Sequence, residues 1–454
     1  MNLPVEFQKK YRQLLGDEAP AFLASFDQPS ISGFRRNPLK NGLPQATIEH
    51  ATGQVPSVPD GYFGTVNGHS LDHVTGWVYS QEPSAMYVGE VVDPQPGERV
   101  LDLCAAPGGK STHLIAKMKD QGLLVANEIF KKRAQVLASN LERWGTQNTV
   151  ILNERPDNLE RHFPAFFDRI LVDAPCSGEG MFRKEPAGIE YWNPDYPAEC
   201  ANRQRKILQS ALKMLKAGGV LVYSTCTFAP EEDEQNIAWL LKQYPALEMV
   251  PIKKFPGMDN GRPDWADGNP ELTKALRMFP HHYRGEGHFI AKLRLRSQSV
   301  LPQRHSRKRQ RAHSKVQLTK EEHKLFVDFQ KQYLPRQSFK NLIKFGDQLY
   351  SLPKEMPALA ELQVQTPGLH LGTLKKRRFE PSLALALSLQ PEQIVNRILI
   401  TIEQWRQYVH GEVLRVDSPQ ANGWYLLVCD QHSVGFGKMV NGTIKNFFPK
   451  GLRF

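Results

Sequence analysis

The sequence has few cysteines and no long apolar run. Its 454 residues include five cysteines, an odd number that argues against a disulfide framework and favours reduced thiols. No stretch reaches the roughly 18 apolar residues that a membrane-spanning helix needs, and the first residues, Met1 to Glu6, lack a basic segment followed by an apolar one. These absences predict a soluble, cytoplasmic protein without a secretory signal. A chain of this length should form about two to four domains.

Acidic residues are missing from residues 297–320, where the basic residues include Arg304, Arg307, Lys308, Arg309, Arg311 and Lys315. A second basic run is Lys375-Lys376-Arg377-Arg378, and the net charge is +11. Clustered positive charge favours a polyanionic partner, because binding to phosphates releases counterions. A solvated linker and a membrane surface are the alternatives, although no amphipathic helix or lipidation motif supports the membrane. A basic turn at 33–40 is predicted as a further phosphate contact.

Strand and helix patterns alternate from about residue 95 to 295, which is typical of a doubly wound α/β domain. The predicted strands lie at 99–103, 123–127, 169–172 and 220–223, and a closing strand pair lies at 277–280 and 288–295. One helix is predicted over 201–217, ending at Gly218-Gly219. Pro230 is predicted to open another helix, with four acidic residues in its first turn. Short strands with glycine-rich turns after residue 423 predict a small β-barrel-like module.

A glycine-rich segment, Ala105-Ala106-Pro107-Gly108-Gly109-Lys110-Ser111, lies between the first strand and the next helix. Its glycines let backbone N–H groups approach a ligand closely, yet it is neither a Walker A nor a Gly-x-Gly-x-x-Gly motif. Glu128 follows Gly108 by twenty residues, where a doubly wound fold places a carboxylate for ribose hydroxyls. Because S-adenosylmethionine has a ribose but no phosphate, we predict it as the cofactor. A purely structural strand–turn–helix is the alternative.

Two further strands are followed by cysteines, in the segments Asp173-Ala174-Pro175-Cys176 and Ser224-Thr225-Cys226-Thr227. The carboxyl ends of the strands form the rim where a doubly wound domain binds its ligands. Two thiols at that rim predict chemistry that makes and breaks a carbon–sulfur bond, and the Asp173 carboxylate would hydrogen-bond the Watson–Crick edge of a flipped cytosine. Packing is the alternative role for each cysteine.

A nucleophilic cysteine needs a local field that favours its thiolate. Three cations and the nearby helix N-termini are candidates for supplying this field, and the sequence does not choose among them: Lys110, Arg183 and Lys184. The other three cysteines lack such surroundings and are interpreted as structural: Cys104, Cys200 and Cys429.

These segments resemble the motifs of the Sun-type RNA cytosine-5 methyltransferases. The matching stretches are 101–112, 127–128, 173–180 and 224–227, in the family's order and spacing, and the match covers about residues 30–295. The end of the chain, from 435 to 453, is similar to a bacterial branch that acts on small-subunit ribosomal RNA and adds a PUA-like RNA-binding module. With this module the resemblance spans effectively the whole chain.

The resemblance implies that Cys226 attacks carbon 6 of cytosine, that carbon 5 then takes the methyl group, and that Cys176 assists release by elimination. It implies that the cofactor pocket is lined by Cys104, Ala105, Ala106, Pro107, Gly108, Gly109, Lys110, Glu128 and Asp173. Cys104 would touch the cofactor through its backbone. Many members have Asp near the adenine, after the third strand, where this chain has Asn153 and Glu154. The spacing favours Glu154 and leaves Asn153 open.

The resemblance also implies the domain organisation. A Rossmann-like, S-adenosylmethionine-dependent methyltransferase domain is combined with a small N-terminal domain and with C-terminal α/β and PUA-like modules. The expected parts are an N-terminal RNA-binding subdomain at 1–85, the methyltransferase domain at 86–296, a basic linker at 297–320, the α/β module at 321–385 and the PUA-like domain at 386–454.

The expected partner is 16S ribosomal RNA or the 30S subunit, bound by a monomer without a metal or a membrane. A cytosine-5 methyltransferase of transfer RNA or another RNA is the first alternative, because the family shares the catalytic motifs. A non-catalytic RNA-binding factor for ribosome assembly is the second, and the intact cysteine pair argues against it. DNA cytosine methylation is disfavoured, because those enzymes use a nucleophile in a Pro-Cys motif on the earlier strand, here Cys176.

Overall fold

The computed structural model describes residues 1–297, 317–415 and 420–454. Apart from its first residue and its last four, the predicted basic linker at 297–320 lies outside the described residues. Within the described ranges, no helix is long and apolar enough to cross a membrane.

The N-terminal part combines short helices with a four-stranded sheet in the order β2-β3-β1-β4. Its elements are α1 Val5–Leu15, α2 Ala19–Ser25, β1 Gly33–Arg36, α3 Gln45–Ile48, β2 Gly53–Gln54, β3 Gly61–Phe63, α4 Leu71–Val74 and β4 Val78–Ser80. Helix α1 buries Phe7, Tyr11 and Leu15, which share one face because they are four residues apart. This face packs against Phe182 and Phe228 of the following domain, so the N-terminal helices are docked on the central domain.

The central domain alternates strands and helices as expected. Its strands are β5 Arg99–Asp102, β6 Leu123–Asn127, β7 Thr149–Leu152, β8 Phe167–Asp173, β9 Leu215–Thr225, β10 Leu247–Met249, β11 Met258–Asn260, β12 Leu276–Met278 and β13 His288–Leu295. Its helices are α5 Pro83–Val92, α6 Gly109–Lys117, α7 Lys131–Trp144, α8 Pro156–His162, α9 Gly188–Tyr191, α10 Tyr196–Met214 and α11 Glu234–Gln243.

The C-terminal part contains two smaller sheets, in the orders β14-β15-β17-β18 and β19-β21-β22-β23-β20. Its helices are α12 Lys320–Tyr333, α13 Leu383–Ser388 and α14 Ile402–His410. Its strands are β14 Leu342–Phe345, β15 Gln348–Ser351, β16 Val364–Thr366, β17 Leu369–Lys375, β18 Arg378–Pro381, β19 Arg397–Leu399, β20 Leu414–Arg415, β21 Gly423–Cys429, β22 His432–Val440 and β23 Thr443–Asn446.

The central sheet has the order β11-β12-β13-β9-β8-β5-β6-β7-β16, with β10 paired to β13. Strands β5 to β9 run parallel, and β13 runs antiparallel to β9. Helices cover both faces, so strands such as Leu123–Asn127 are buried along their whole length, as parallel strands are. The four predicted parallel strands and the closing pair are confirmed, and the carboxyl ends of β5, β6, β8 and β9 lie along one rim.

Two helix predictions were wrong at their ends. The helix expected over 201–217 is Tyr196–Met214, and Leu215 is already extended, so the chain passes directly into β9. Gly218 has a φ of +79°, but it lies inside that strand and does not cap the helix. Pro230 does not open α11, because residues 230–233 form a turn in which Asp233 is buried and faces Arg277 at 3.0 Å.

Two of the three cations in the predicted phosphate-binding turn at 33–40 are buried, and its first four residues form strand β1. The Arg35 side chain is buried, and its Nη2 donates to the carbonyl of Gly109 at 2.6 Å and to Thr112 Oγ1 at 2.7 Å. Lys40 is buried and donates to the carbonyl of Leu387. These cations therefore join parts of the protein to one another, because buried N–H donors must be satisfied internally.

The C-terminal part is joined to the rest of the protein by a strand and by buried polar contacts. Strand β16 pairs antiparallel with β7 at the edge of the central sheet. His432 Nε2 and Asp72 Oδ1 lie 2.8 Å apart, and both residues are buried. One hydrophobic cluster also contains residues from both predicted C-terminal modules, such as Leu385 and Leu426.

Candidate active site

The rim of the central sheet opens into a cavity of about 690 Å³, a size typical of small-molecule sites. The ends of β5, β6, β8 and β9 each contribute to its wall. The wall residues from these strand ends include Leu103, Cys104, Ala106, Glu128, Asp173, Pro175, Cys176 and Cys226. Six of the twelve predicted site residues therefore line one cavity: Cys104, Ala106, Glu128, Asp173, Cys176 and Cys226.

Cys176 and Cys226 come together in this cavity although they lie far apart in sequence. Parallel pairing of β8 with β9 sets Asp173 opposite Ser224, so the two segments that follow leave the sheet side by side. The two Sγ atoms are 3.3 Å apart, and both cysteines are free and half-buried. The hydrogen bond to Cys226, together with burial, raises the pKa of the Cys176 thiol. Either thiol can donate this hydrogen bond, so the geometry allows the Cys176 thiol to donate to the Cys226 sulfur.

Lys110 supplies the positive charge beside the cysteine pair. Its Nζ lies 2.7 Å from Asp173 Oδ2, and Ser224 Oγ donates to the other oxygen of Asp173 at 2.7 Å. Burial lowers the pKa of Lys110, but the Asp173 carboxylate and, to a smaller extent, Cys226 outweigh burial, so this pKa is raised. Arg183 is paired with Glu286 at 2.7 Å, and Lys184 is exposed. Of the three predicted cations, Lys110 is the one that the fold brings to the site.

The predicted cofactor loop leaves β5 and enters α6 beneath the cavity. Cys104 and Ala106 lie in the wall, whereas the carbonyl of Pro107 accepts a hydrogen bond from Asn140 Nδ2 at 2.7 Å. Gly108 has a φ of +116°, and a Cβ there would lie 3.2 Å from Leu137, which explains the need for glycine. Burial raises the pKa of Cys104, which keeps its thiol protonated. The loop thus presents some of its residues to the cavity and packs the others on α7.

Glu128 lies in the wall and is 4% exposed. Its Oε1 accepts from the backbone N–H of Phe130 at 2.9 Å, and its Oε2 lies 3.2 Å from Arg133. Next to it, Ile129 and Phe130 face the cavity with 48% and 59% of their surface exposed. An acid beside an exposed apolar surface fits a nucleoside, because the carboxylate takes the ribose hydroxyls and the apolar residues cover the base.

The expected adenine contact is not found at Glu154. Its Oε1 accepts from the backbone N–H of Gln363 at 2.7 Å, and it does not line the cavity. Asn153 donates to the carbonyl of Glu128 at 2.7 Å. The acid in this part of the wall is Asp157, which is exposed. Strand β16 explains why Glu154 does not reach the cavity, because the residue before this strand, Gln363, donates its backbone N–H to the Glu154 carboxylate.

Replacing Glu128 with alanine should weaken S-adenosylmethionine binding by about 1.5–3 kcal/mol, the scale of a hydrogen bond to a charged group. This loss corresponds to a roughly ten- to hundredfold higher Kd, which isothermal titration calorimetry measures directly. Glu154→Ala is the matched comparison, and its Kd should stay within about twofold of that of the wild type because Glu154 faces Gln363. Equal effects of the two substitutions would contradict the assignment of the ribose acid.

A buried polar network beneath Cys176 was missed by sequence reasoning. Ser177 donates to Glu232 through its N–H at 3.0 Å and also through its hydroxyl. Gln204 Nε2 donates at 2.7 Å to Glu232 Oε2, the oxygen that also accepts from the Ser177 N–H. Burial raises the pKa of Glu232 to about 8, so this acid is protonated at neutral pH. Glu232 is one of the four acidic residues that the sequence places in a helical first turn after Pro230, whereas in the structure it anchors the network that holds the segment carrying Cys176.

Glu232 should make folding stability fall as the pH rises. An unfolded glutamate titrates near about 4.3, whereas folded Glu232 keeps its proton to about pH 8. Between these values the folded state binds the extra proton, so its stability decreases with increasing pH. Glu232→Gln should remove this dependence. The Tm of the variant minus the Tm of the wild type should therefore increase from about pH 5 to about pH 8. Glu199→Gln, on an exposed acid, is the control, and a parallel pH profile for Glu232→Gln and the wild type would contradict the assignment.

A doubly wound sheet with a buried acid after its second strand and a cysteine pair at its rim is typical of a Rossmann-like methyltransferase. Residues 90–294 match the family model of the 16S rRNA methyltransferase RsmB/F. Residues 3–83 match the N-terminal domain of the 16S rRNA methyltransferase RsmF, residues 328–389 its first C-terminal domain, and residues 395–454 the methyltransferase RsmF PUA domain.

The chain is similar along its length to ribosomal RNA small subunit methyltransferase F from two bacteria. It is 31% identical to the Aliivibrio fischeri protein over 454 residues, covering 95% of this chain and 93% of the relative. The Vibrio cholerae protein is 29% identical over 475 residues, covering 100% and 98%. The chain therefore belongs to the ribosomal RNA small subunit methyltransferase F family, and the resemblance seen in the sequence is confirmed.

Solved structures agree with this assignment. A methyltransferase homologue from Pyrococcus horikoshii is 31% identical with a TM-score of 0.55, covering 63% of this chain and 94% of that one. NSun6 from Pyrococcus horikoshii, solved with SFG, has a TM-score of 0.57 at 22% identity, covering 64% and 98%. The predicted Rossmann-like fold class is confirmed.

Proposed function

We propose that this protein transfers the methyl group of S-adenosylmethionine to carbon 5 of a cytosine in 16S ribosomal RNA. The observation that carries the proposal is the pair of free thiols, 3.3 Å apart, at the rim of a methyltransferase sheet. The names of the relatives from Vibrio and Aliivibrio support the choice of RNA. The cavity, with Glu128 beside exposed Ile129 and Phe130, supports the choice of cofactor, which supplies an electrophilic methyl group when bound.

Cys226 is proposed as the nucleophile. Its thiolate forms a bond to carbon 6 of cytosine, and the electron pair that this releases makes carbon 5 nucleophilic toward the methyl group. Asp173 is proposed to hydrogen-bond the Watson–Crick edge of the base, which favours protonation at N3 and draws electrons from carbon 6. Lys110, 2.7 Å from Asp173, keeps this carboxylate oriented and adds the positive charge that favours a thiolate.

Cys176 is proposed to assist the release of the product. Once carbon 5 carries the methyl group, its proton passes to water, the C5–H electron pair restores the ring double bond, and the bond between Cys226 and carbon 6 breaks with its electron pair going to the Cys226 sulfur. The Cys176 thiol, hydrogen-bonded to the Cys226 sulfur, stabilises the thiolate that leaves. The target base must be turned out of its stack to reach these two sulfurs, as in other enzymes that modify bases.

Methyl transfer from labelled S-adenosylmethionine tests the function. We expect incorporation into 16S ribosomal RNA or 30S subunits from cells that lack the protein, and mass mapping of nuclease fragments locates 5-methylcytosine. Preference for transfer RNA would replace the proposed substrate with the first alternative. If the protein methylated no RNA and did not bind S-adenosylmethionine, the second alternative, a non-catalytic RNA-binding factor, would replace the proposed function.

We also infer that the protein acts as a monomer in the cytoplasm and without a metal, with RNA binding shared between residues 1–85 and 386–454. Glu18, His281 and His282 are grouped as metal ligands often are, but Arg262 donates to both Glu18 oxygens at 3.1 and 3.0 Å. An ion there would have to displace this guanidinium. Light scattering after size-exclusion chromatography measures the mass in solution and so tests whether the protein is a monomer.

A further inference from the structure

A second cavity, of about 510 Å³, lies where the three parts of the chain meet. His69 and His73 from the N-terminal part and Glu142 from the last turn of α7 form one side of it. The β17–β18 hairpin and the end of the chain form the other side. The wall residues from these C-terminal segments include His370, Thr373, Glu380, Phe447, Phe448 and Phe454. No residue of the proposed active site takes part in it.

The second cavity has aromatic faces of the kind on which nucleobases stack. The rings of His69 and Phe454 stack on one another, with centroids 4.4 Å apart and an interplanar angle of 14°, so a base would stack on an outer face of this pair. Phe454 is 38% exposed, and Phe447 is half-buried. Stacking of an unpaired base on such side chains is the usual basis of single-stranded RNA recognition.

Glu142 provides the hydrogen-bonding group of this cavity. Its carboxyl is half-buried in the wall and has no hydrogen-bond or ion-pair partner among the described residues, and burial raises its pKa to about 7. The neighbouring Arg143 is already engaged, because it donates to Asn140 at 2.8 Å and contacts His73. A carboxylate with two free oxygens accepts two adjacent N–H donors, and guanine carries such a pair, N1–H and the 2-amino group, on its Watson–Crick edge. Such a ligand would give Glu142 the partners that it lacks.

The hairpin that lines the cavity also carries the second basic run. Thr373 and Glu380 are in the wall, and Lys376 and Arg377 are exposed at the hairpin tip. Lys375 and Arg378 pair with Asp347 and Glu380, whereas within the described chain Lys376 and Arg377 have no acidic partner. Two free cations beside a base-sized cavity suit the phosphates that flank a bound base.

Helix α7 relates the second cavity to the active site. Arg133, in the first turn of α7, lines the active-site cavity, and Glu142, in its last turn, lines the second one. These residues are nine positions apart, which is about 13.5 Å along the helix axis and two and a half turns around it, so their side chains lie on opposite sides of α7. An RNA strand that reaches both cavities must therefore pass around a helix of about 10–12 Å diameter and span several nucleotides.

We propose that the second cavity binds an unstacked guanine of the same RNA, a few nucleotides from the target cytosine, with Glu142 accepting the N1–H and the 2-amino group. The proposal rests on RNA being the substrate. Lys376 and Arg377 contact neighbouring phosphates and contribute affinity without sequence preference. The chain thus recognises its substrate at a second nucleotide in addition to the methylated one.

Analogue interference tests the proposal. 16S ribosomal RNA is transcribed with a small fraction of inosine phosphorothioate, which lacks the 2-amino group of guanine, and bound molecules are separated and cleaved with iodine. With the wild-type protein, one guanosine position within about ten nucleotides of the target should be sensitive to this replacement. Molecules with inosine at that position should be at least about fivefold rarer in the bound RNA than in the starting RNA. Glu142→Ala should remove this depletion, and Glu355→Ala, on an exposed acid, should keep it.

Further variants separate the possible outcomes. Glu142→Gln, close to glutamate in shape, should reduce the depletion if the alanine variant proves unstable, and unchanged S-adenosylmethionine affinity shows that each variant is folded. Lys376→Ala with Arg377→Ala should lower RNA affinity and flatten its salt dependence while the depletion remains. The proposal would be overturned if Glu142→Ala still showed the depletion of inosine. It would also be overturned if the wild-type protein showed no such depletion near the target. Absence of methyl transfer by the wild-type protein would instead overturn the proposed function.

Discussion

Replacing Cys226 with alanine is expected to lower methyl transfer at least about thousandfold, because alanine cannot form the covalent bond to carbon 6 on which the proposed step depends. Binding of S-adenosylmethionine should stay within about twofold of the wild type, since the alanine leaves the wall at Glu128 unchanged. Single-turnover methylation of 16S ribosomal RNA and calorimetry with the cofactor measure the two quantities separately.

Cys429→Ala is the matched control, because it removes a buried thiol from β21, far from the rim. This variant should keep its methylation rate within about threefold of the wild type. A Cys226→Ala enzyme that retained a tenth or more of the activity would exclude Cys226 as the nucleophile and would direct attention to Cys176.

Replacing Cys176 with alanine is expected to trap the protein on its RNA. Attack by Cys226 and methyl transfer would proceed, but the leaving thiolate would lose the hydrogen bond of 3.3 Å that stabilises it. Release would become the slow step, and most of the enzyme would be covalently linked to RNA. A denaturing gel with labelled 16S ribosomal RNA fragments detects this adduct as a retarded, protease-sensitive band.

The double substitution of Cys176 and Cys226 by alanine identifies the linking atom. It should give no band, whereas Cys176→Ala with the distant Cys429→Ala should still give one. If Cys176→Ala turned over normally without an adduct, Cys176 would be a packing residue, the alternative that the sequence left open.

The rim of the central sheet was predictable from the sequence because local signals specify it. Each strand is a short apolar run, and each is followed by polar residues at its carboxyl end. Parallel pairing then places Cys176 beside Cys226 without any long-range information beyond strand order. The strand positions and the resemblance to the family were correct for this reason.

What the sequence did not predict depends on contacts between distant segments. Arg35 looked like a surface cation, but Gly109 and Thr112 accept its N–H groups in the interior. Glu154 looked like the adenine contact, but a strand from the C-terminal part binds its carboxyl. Glu232 looked like part of a helical first turn, but Ser177 and Gln204 enclose it. Charge and propensity are local properties, and they do not reveal which partners tertiary structure brings.

Strand β16 also has a consequence for the order in which the protein is made. Strand β7 pairs with β6 on one side, and on its other side its partner among the described residues is Val364–Thr366, which the ribosome synthesises long after residue 152. Until then the backbone N–H and C=O groups on one side of β7 are unpaired, and an open strand edge of this kind recruits other chains. Completion of the sheet is a late step with a long loop to close. The nascent methyltransferase domain therefore has its greatest tendency to aggregate between the synthesis of its own last strand and the arrival of β16.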